Sequence, residues 1–584
     1  MPLPLLGELK RRRVFRALAG YGVVAFAVLQ IIEPVMHGLH WPDSVLSYVV
    51  VGLAIGFPVV VGLTWIFDIG PGGVERAPAA SGGLRGARLL LLLAGVSMLA
   101  AAPGLLYYFV VRSDARPEAP RPVSAPGPSI AVLPFVNLSS DKEQEYFSDG
   151  IAEEILNALA QVEGLRVIGR TSSFSMKGKN EDLRSIGAKL NAKNLLEGSV
   201  RKSGRRVRIT AQLIEAAGGS HLWSQAFDRE LSDVFAVQDE IAKAVVAALR
   251  LKLLSAQRAS IDEQHRTVSA EAHDQCLQGR FLRARGSPEG YDRAVEALQK
   301  AVALDPGYAP AWAELAQALF WAAAQDPGRH DARKDWPRAR DAAEKAIALA
   351  PNLADGYTAR GLLRIAVTRD WEGARADLER ARSLDPGGVD ILLQSAWLLS
   401  TLGRLPEAIA ALHKATALDP LSTDGWSRLC GFYLGTGQLD LAEAAAKRAL
   451  EVSPEQERAA RNLGFVLLLS DRLAEARTAF QRSSNGFFRA MGDALVEHAL
   501  GHRIEAQRAL DEILTRPNVN AASYQVAQIY AWRGEADRAF DWLGRAYEFH
   551  DSGLTYLKYD PLMRKVRGDA RYAALLQKMN LPPD

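Results

Sequence analysis

The sequence predicts a multidomain, membrane-anchored chain: N-terminal transmembrane helices, a small α/β domain on a mixed sheet, then an all-α superhelix of two-helix repeats. Three observations predict it. Three apolar stretches of about 20 residues each, the length a helix needs to cross a bilayer, precede residue 112. Strand-like and helix-like segments alternate from 130 to 255, and from 270 onward the chain repeats itself. With 584 residues there is room for several domains of ~100 to 200 residues. A hydrophobic content of 48% and a charged content of 23% are those of folded protein. The formal charge of +3 is too small to imply a nucleic-acid partner. Cys276 and Cys430 stand far apart in different repeats, which excludes a disulfide framework and a CxxC metal site.

The membrane domain is expected over 1–111, with spans at 17–36 ("ALAGYGVVAFAVLQIIEPVM"), 47–67 ("SYVVVGLAIGFPVVVGLTWIF") and 89–111 ("LLLLLAGVSMLAAAPGLLYYFVV"). Glu33 lies near the end of the first, where a carboxylate reaches the interface. No small-x-small cleavage site follows that span, so a cleaved signal peptide is the weaker reading. Lys10, Arg11, Arg12, Arg13 and Arg16 precede span one; "HGLHWPDSV" carries no Lys or Arg; Arg76, Arg85 and Arg88 precede span three. Basic flanks stay cytoplasmic, so the order is in, out, in, out, and everything after Arg112 is placed outside the cytoplasm, in the periplasm of a bacterium. Arg112, Arg116 and Arg121 dilute that bias. The stretch 112–128, "RSDARPEAPRPVSAPGP", is a proline-rich, semi-extended linker.

In the middle domain, 129–256, "IAVLPFV" has strand length and "GIAEEILNALAQV" has helical spacing. "LRVIG" is a second strand and "EDLRSIGAKLNA" a second helix. "NLLEGSV" and "RVRITAQLIEA" form a hairpin turning at Gly204, "HLWSQAFDR" adds an edge strand, and "VFAVQDEIAKAVVAALRLKL" is an amphipathic helix. The motifs "SIAVLPF", "EYFSDGIAEEI", "GLRVIGRTSSF", "LEGSVRKSGRRVRITAQLI" and "HLWSQAFDREL" followed by "VFAVQDEIA" resemble the TolB amino-terminal-like domain over nearly all of 129–250. That resemblance implies an extracytoplasmic interaction module without catalytic activity. In such proteins the cytoplasmic side often carries a nucleotide cyclase, a kinase or a winged-helix DNA-binding domain of the CadC type. Only 16 residues precede the first span here, so no output domain of that kind is expected there.

The repeats extend over 270–553. "AVALDP", "AIALAP", "ARSLDP", "ATALDP" and "ALEVSP" place prolines at 306, 351, 386, 420 and 454, at spacings of 45, 35, 34 and 34. A 34-residue period with a closing proline is that of the tetratricopeptide repeat. One copy reads Trp426, Leu429, Cys430, Tyr433, Ala442, Ala449, Pro454; another reads Trp312, Leu315, Ala316, Leu319, Ala339, Ala346, Pro351. Five copies are clear and about eight are expected in all, with an insertion near "AQDPGRHDARKD" accounting for the long spacing. The tail 554–584 reads as a terminal cap.

Several stretches imitate sites. "DKEQEYFSDGIAE", Asp141 to Glu153, has acids at the first, third and fifth places of a calcium loop, but Tyr146 stands where its glycine belongs. A strand-to-helix connection explains it better, with Ser148 or Asp149 capping the helix and Glu153 and Glu154 in its first turn. "GLRVIGRT", Gly164 to Thr171, imitates a phosphate loop, yet its middle is itself a strand. "RKSGRRVR", 201–208, reads as a solvated hairpin edge with Arg206 and Arg208 on one face. His498 and His502 lack the glutamate and third ligand of a zinc protease. No catalytic, cofactor-binding or metal residue is therefore assigned, and no cofactor is expected. The expectation is a non-catalytic, membrane-anchored scaffold that binds protein or peptide partners through its α/β domain and the concave face of the repeats. The alternatives are a sensor component of a cyclase- or CadC-like system, and an enzyme with a site between the soluble domains.

Overall fold

A computed structural model describes residues 67–70, 73–76 and 127–583, apart from 163, 180, 250–266, 268, 326–329, 331 and 518, together with Tyr21, Ala25 and Val28. The chain divides into two compact units, 1–118 and 119–584. In the first, β1 (Phe67–Gly70) and β2 (Gly73–Arg76) form an antiparallel hairpin with Gly70 opposite Gly73.

This corrects the expected fold class. Among the described residues no helix is long and apolar enough to cross a membrane, so the membrane-anchored N-terminus is not part of the observed architecture. Phe67, the expected last residue of the second span, pairs with Arg76 as a strand. The rest of the expected spans, with the orientation built on them, lies outside the described residues apart from Tyr21, Ala25 and Val28, which are helical.

The second unit opens with the α/β domain. β3 (Ser129–Val132) runs parallel to β5 (Arg166–Val167) on one side and to β6 (Asn194–Ser203) on the other. β4 (Val136–Asn137) continues alongside β6. β6 and β7 (Arg206–Glu215) form the expected hairpin, with Gly204 at φ +59°, and β8 (His221–Glu230) closes the antiparallel edge. The sheet is mixed, in the order β5-β3-β6-β7-β8. All four residues of β3 are buried, as a central parallel strand covered on both faces requires, whereas β8 buries only Phe227.

Helices α1 (Glu145–Ala160) and α4 (Val234–Ala248) cover one face, where Ile151, Ile155, Leu159, Ile241 and Val245 pack on Ile130, Val132 and Ile209. α3 (Leu183–Leu190) covers the other through Ile186 and Leu190 against Ala131 and Leu195. Between β5 and α3 lies a five-residue helix, α2 (Arg170–Phe174), which the apolar periodicity did not signal.

Eight helix pairs follow: α5 (Ala270–Ala284) with α6 (Pro288–Leu304), α7 (Ala309–Gln325) with α8 (Ala332–Leu349), α9 (Ala354–Leu363) with α10 (Trp371–Leu384), and α11 (Val389–Thr401) with α12 (Leu405–Leu418). Then come α13 (Thr423–Thr436) with α14 (Leu439–Val452), α15 (Glu457–Leu469) with α16 (Leu473–Gln481), α17 (Gly486–Ala499) with α18 (Arg503–Leu514), and α19 (Ser523–Arg533) with α20 (Ala536–Glu548). The small residues that let paired helices approach closely recur: Ala339 and Ala346, Ala374 and Ala381, and Ala442 and Ala449 are all fully buried.

The long spacing in the second repeat is carried by its helices as well as by the loop between them. α7 has 17 residues and α8 has 18, against 14 each in α13 and α14. Along most of the array the first helices of successive pairs pack on one another, whereas the second helices pack mainly on first helices. The first helices therefore form the inner row of the superhelix.

After α20 the chain turns back through two short 3-10 turns, Ser552–Tyr556 and Pro561–Val566, into α21 (Ala570–Lys578). This tail reaches far upstream. Trp397 of α11 donates from Nε1 to Thr555 Oγ1 (3.1 Å), and Trp371 of α10 donates to the Met579 carbonyl (2.9 Å). It thus ties the end of the array to its third and fourth pairs.

Candidate interaction surface

The six carboxylates of Asp141 to Glu154 do not converge. Asp141 Oδ1 accepts from the Glu143 N–H (2.9 Å) and caps a 3-10 turn. Glu145 and Asp149 both reach Lys177 Nζ (3.0 and 2.6 Å), and Glu153 accepts from Arg170 Nε (2.7 Å). Among the described residues no cluster of metal-ligating side chains is found.

Asp149 is not the helix cap. α1 already begins at Glu145, so Asp149 lies in its second turn, 3% exposed, and burial lifts its carboxyl above the usual range despite Lys177. The residues between Gly164 and Thr171 include β5, and Arg170 is spent on Glu153, so this segment has no phosphate-loop geometry. Arg206 and Arg208 lie exposed on one face of the hairpin, whereas Lys202 turns inward to Asp274 (2.9 Å) and over the Phe147 ring. His502 Nδ1 lies 2.7 Å from Glu497, and His498 is held below its usual pKa by burial and the nearby Arg533. Both cysteines are free and buried, and burial pushes the Cys276 thiol up to about 12.

What the sequence did not disclose is a seam that joins the α/β domain to the repeats. Its first half lies between α1 and α5. Leu277 of α5 sits in the α/β core, 1% exposed, against Gly150, where a Cβ would come within 2.7 Å of the leucine methyls. Tyr146 OH donates to Asp274 Oδ2 (2.7 Å). Glu154, 9% exposed, meets His273 Nε2 at 2.8 Å through one oxygen and the Gln238 amide through the other. Burial pushes the Glu154 carboxyl up, but the His273 imidazole, with Arg280 behind it, outweighs burial and holds it below the ordinary range.

The second half joins α2 to the loop that closes the fourth pair. Gly169 N–H donates to the Leu418 carbonyl (2.7 Å), Ser172 N–H to Asp419 Oδ1 (2.6 Å), and Leu421 N–H back to Ser172 Oγ (2.7 Å). Leu421 completes the α/β domain's second core. Asp419 belongs to the same Asp-Pro signature as Asp305 and Asp385, yet it alone of the three is turned to the α/β domain, and it is 1% exposed.

The inner row keeps exposed polar positions. Asp355 and Asp390 occupy the second residue of α9 and α11 and reach solvent. Glu314 is buried and accepts from Arg280 Nε (3.0 Å) and Arg283 Nε (2.8 Å), linking the first two pairs.

Residues 368–431 and 433–485 match tetratricopeptide-repeat family models, and the C-terminal region carries these repeats. Residues 126–244 match the family described as the HilA/YgeH-like transcriptional regulator, second domain, where the motifs had pointed to the TolB amino-terminal-like domain. A putative adenylate cyclase 3 of Rhizobium meliloti (strain 1021) is 43% identical over 196 residues, which make up 34% of this chain. The chain spans 33% of that relative's length. A thermophilic tetratricopeptide-repeat protein of Thermus thermophilus is 24% identical, covering 34% of this chain and 99% of its own, with a TM-score of 0.29. PilW, a type IV pilus biogenesis factor, is 19% identical, covering 37% and 97%, with a TM-score of 0.31.

Proposed function

We propose that this chain is a non-catalytic interaction scaffold, in which the α/β domain and the repeats act as one platform for protein or peptide partners. One observation carries the reading: eight helix pairs present their first helices as an inner row, and the α/β domain is fixed to the array through buried hydrogen bonds at two places. Arrays of this kind bind extended partners along the inner groove. The TolB-like motifs support the α/β domain as a second binding surface.

A peptide library selected against the full chain tests this. Selected peptides should bind ten times or more weakly to a chain carrying Asp355→Lys and Asp390→Lys, which change exposed inner-row positions. Failure to enrich any peptide, or binding indifferent to both changes, would contradict the scaffold.

The second reading, a sensor component of a signalling system, draws on two named relatives: a transcriptional-regulator domain family and a putative adenylate cyclase. It assigns the partner, not the chemistry, to signalling. The full chain incubated with ATP and a divalent cation should make no cyclic AMP; production of it would remove the non-catalytic reading.

A further inference from the structure

The tail that folds back over the array closes a cavity of about 100 Å³ on the inner row, between α13, α15, α19 and the stretch Tyr556–Leu562. Its wall is built rather than incidental. Tyr559 packs edge-on against Phe432 (centroids 5.4 Å apart), and Asp560 accepts from Tyr524 OH (2.8 Å), which pins the tail in place. Asn462 Nδ2 donates to the Ser427 carbonyl (2.8 Å) and fixes α15 against α13.

Three features of this wall suit a ligand. Ser427 Oγ, on a fully buried residue, makes no hydrogen bond. Tyr559 OH, 5% exposed, has the Ser400 hydroxyl beside it, which itself donates to the Trp397 carbonyl (2.8 Å). Buried hydroxyls short of partners are costly.

The third feature is charge. Arg428 (2.7 Å) and Arg458 share the Asp424 carboxylate, but Arg461 has no ion pair among the described residues and rests on the Phe488 ring, 4.6 Å from its centroid. Burial and the adjacent Arg458 guanidinium press Arg461 down to about 10, which leaves it charged at neutral pH. A planar guanidinium in a wall that also holds these two hydroxyls is a receptor for a carboxylate. The lining also carries the apolar Phe432, Phe465, Met491 and Leu562 and the polar Gln525, Gln528 and Asp560, whose carboxylate is taken up by Tyr524 and Gln528. The volume is well below the ~300 Å³ of a drug-sized pocket and nearer the ~150 Å³ that holds a benzene ring.

We propose that this cavity binds a small organic carboxylate with a compact aromatic or branched body, Arg461 taking the charge, Ser427 and Tyr559 supplying hydroxyls, and the tail closing over it. Such a ligand lies against both the tail and the inner row, so its occupancy would couple to how firmly the array is closed. The site is separate from the exposed inner-row positions of the scaffold reading, and either can fail alone.

Calorimetric titration of the full-length protein with benzoate tests the proposal, with acetate and inorganic phosphate as comparison anions. Benzoate should bind and should bind more tightly than either comparison anion. Arg461→Gln should weaken benzoate tenfold or more, and Arg461→Lys, which keeps the charge, should weaken it less. Tyr559→Phe removes one hydroxyl and almost no volume; it should weaken benzoate about threefold or more, and it serves if the arginine variants do not fold. No binding to the wild type, equal affinity for phosphate, or affinity unchanged in the folded variants would each overturn the assignment.

Discussion

Glu154 shows how one side chain sets the geometry of this molecule. It is nearly buried at the point where α1, α4 and α5 meet, and its two oxygens face groups from two different parts of the chain. Replacing it by alanine leaves His273 and Gln238 without their shared acceptor and should cost about 3 kcal/mol, read from urea denaturation. The sign of its pH dependence follows from its lowered pKa. In the unfolded chain the carboxyl takes up a proton near the ordinary value of 4.5, earlier than in the folded one, so its stabilisation is complete above that pH and is lost as the pH falls through the lower folded value. Wild type should lose stability on acidification below about pH 4.5 more steeply than Glu154→Gln; parallel curves would show that this carboxylate is not the group concerned.

At the scale of elements, α1 is held to α5 by the absence of a side chain at Gly150 as much as by contacts. A methyl there would meet both Leu277 methyls, so Gly150→Ala should cost about 1–3 kcal/mol. Pairing it with Leu277→Ala, itself costing about 2–5 kcal/mol as a core truncation, should recover part of the loss; the double-mutant cycle measures the coupling, and strict additivity would place the two apart. α2 plays the same part at the other end. Ser172→Ala removes the acceptor of a buried N–H and should cost about 1–3 kcal/mol in the same assay.

These elements were unequally legible. The array's helices could be read because alanines and prolines recur at a fixed period, and the hairpin because Gly204 supplies a positive φ between two alternating strands. α2 could not, because "RTSSF" has no apolar periodicity and is helical only where Asp419 receives its first turn. Asp149 was misplaced for a local reason: Ser148 and Asp149 look like caps, but a 3-10 turn capped by Asp141 starts the helix earlier. The seam was invisible, since its partners lie 119 to 249 residues apart and Asp419 reads like every other closing aspartate.

For the second unit as a whole, the two ends of the seam and the folded-back tail make a repeat array behave less like a chain of independent neighbours. Repeat arrays ordinarily gain stability only from adjacent units. Here contacts from Trp371 to Met579 and from Gly169 to Leu418 join distant parts. The scaffold reading depends on that union, because a partner held by both the α/β domain and the groove needs them fixed together. Native-state hydrogen exchange of the Gly169, Ser172 and Leu421 amides tests it most directly. Protection equal to that of core amides in β3 and α13 is the result a single platform predicts, and rapid exchange at these three while both cores stay protected would contradict it.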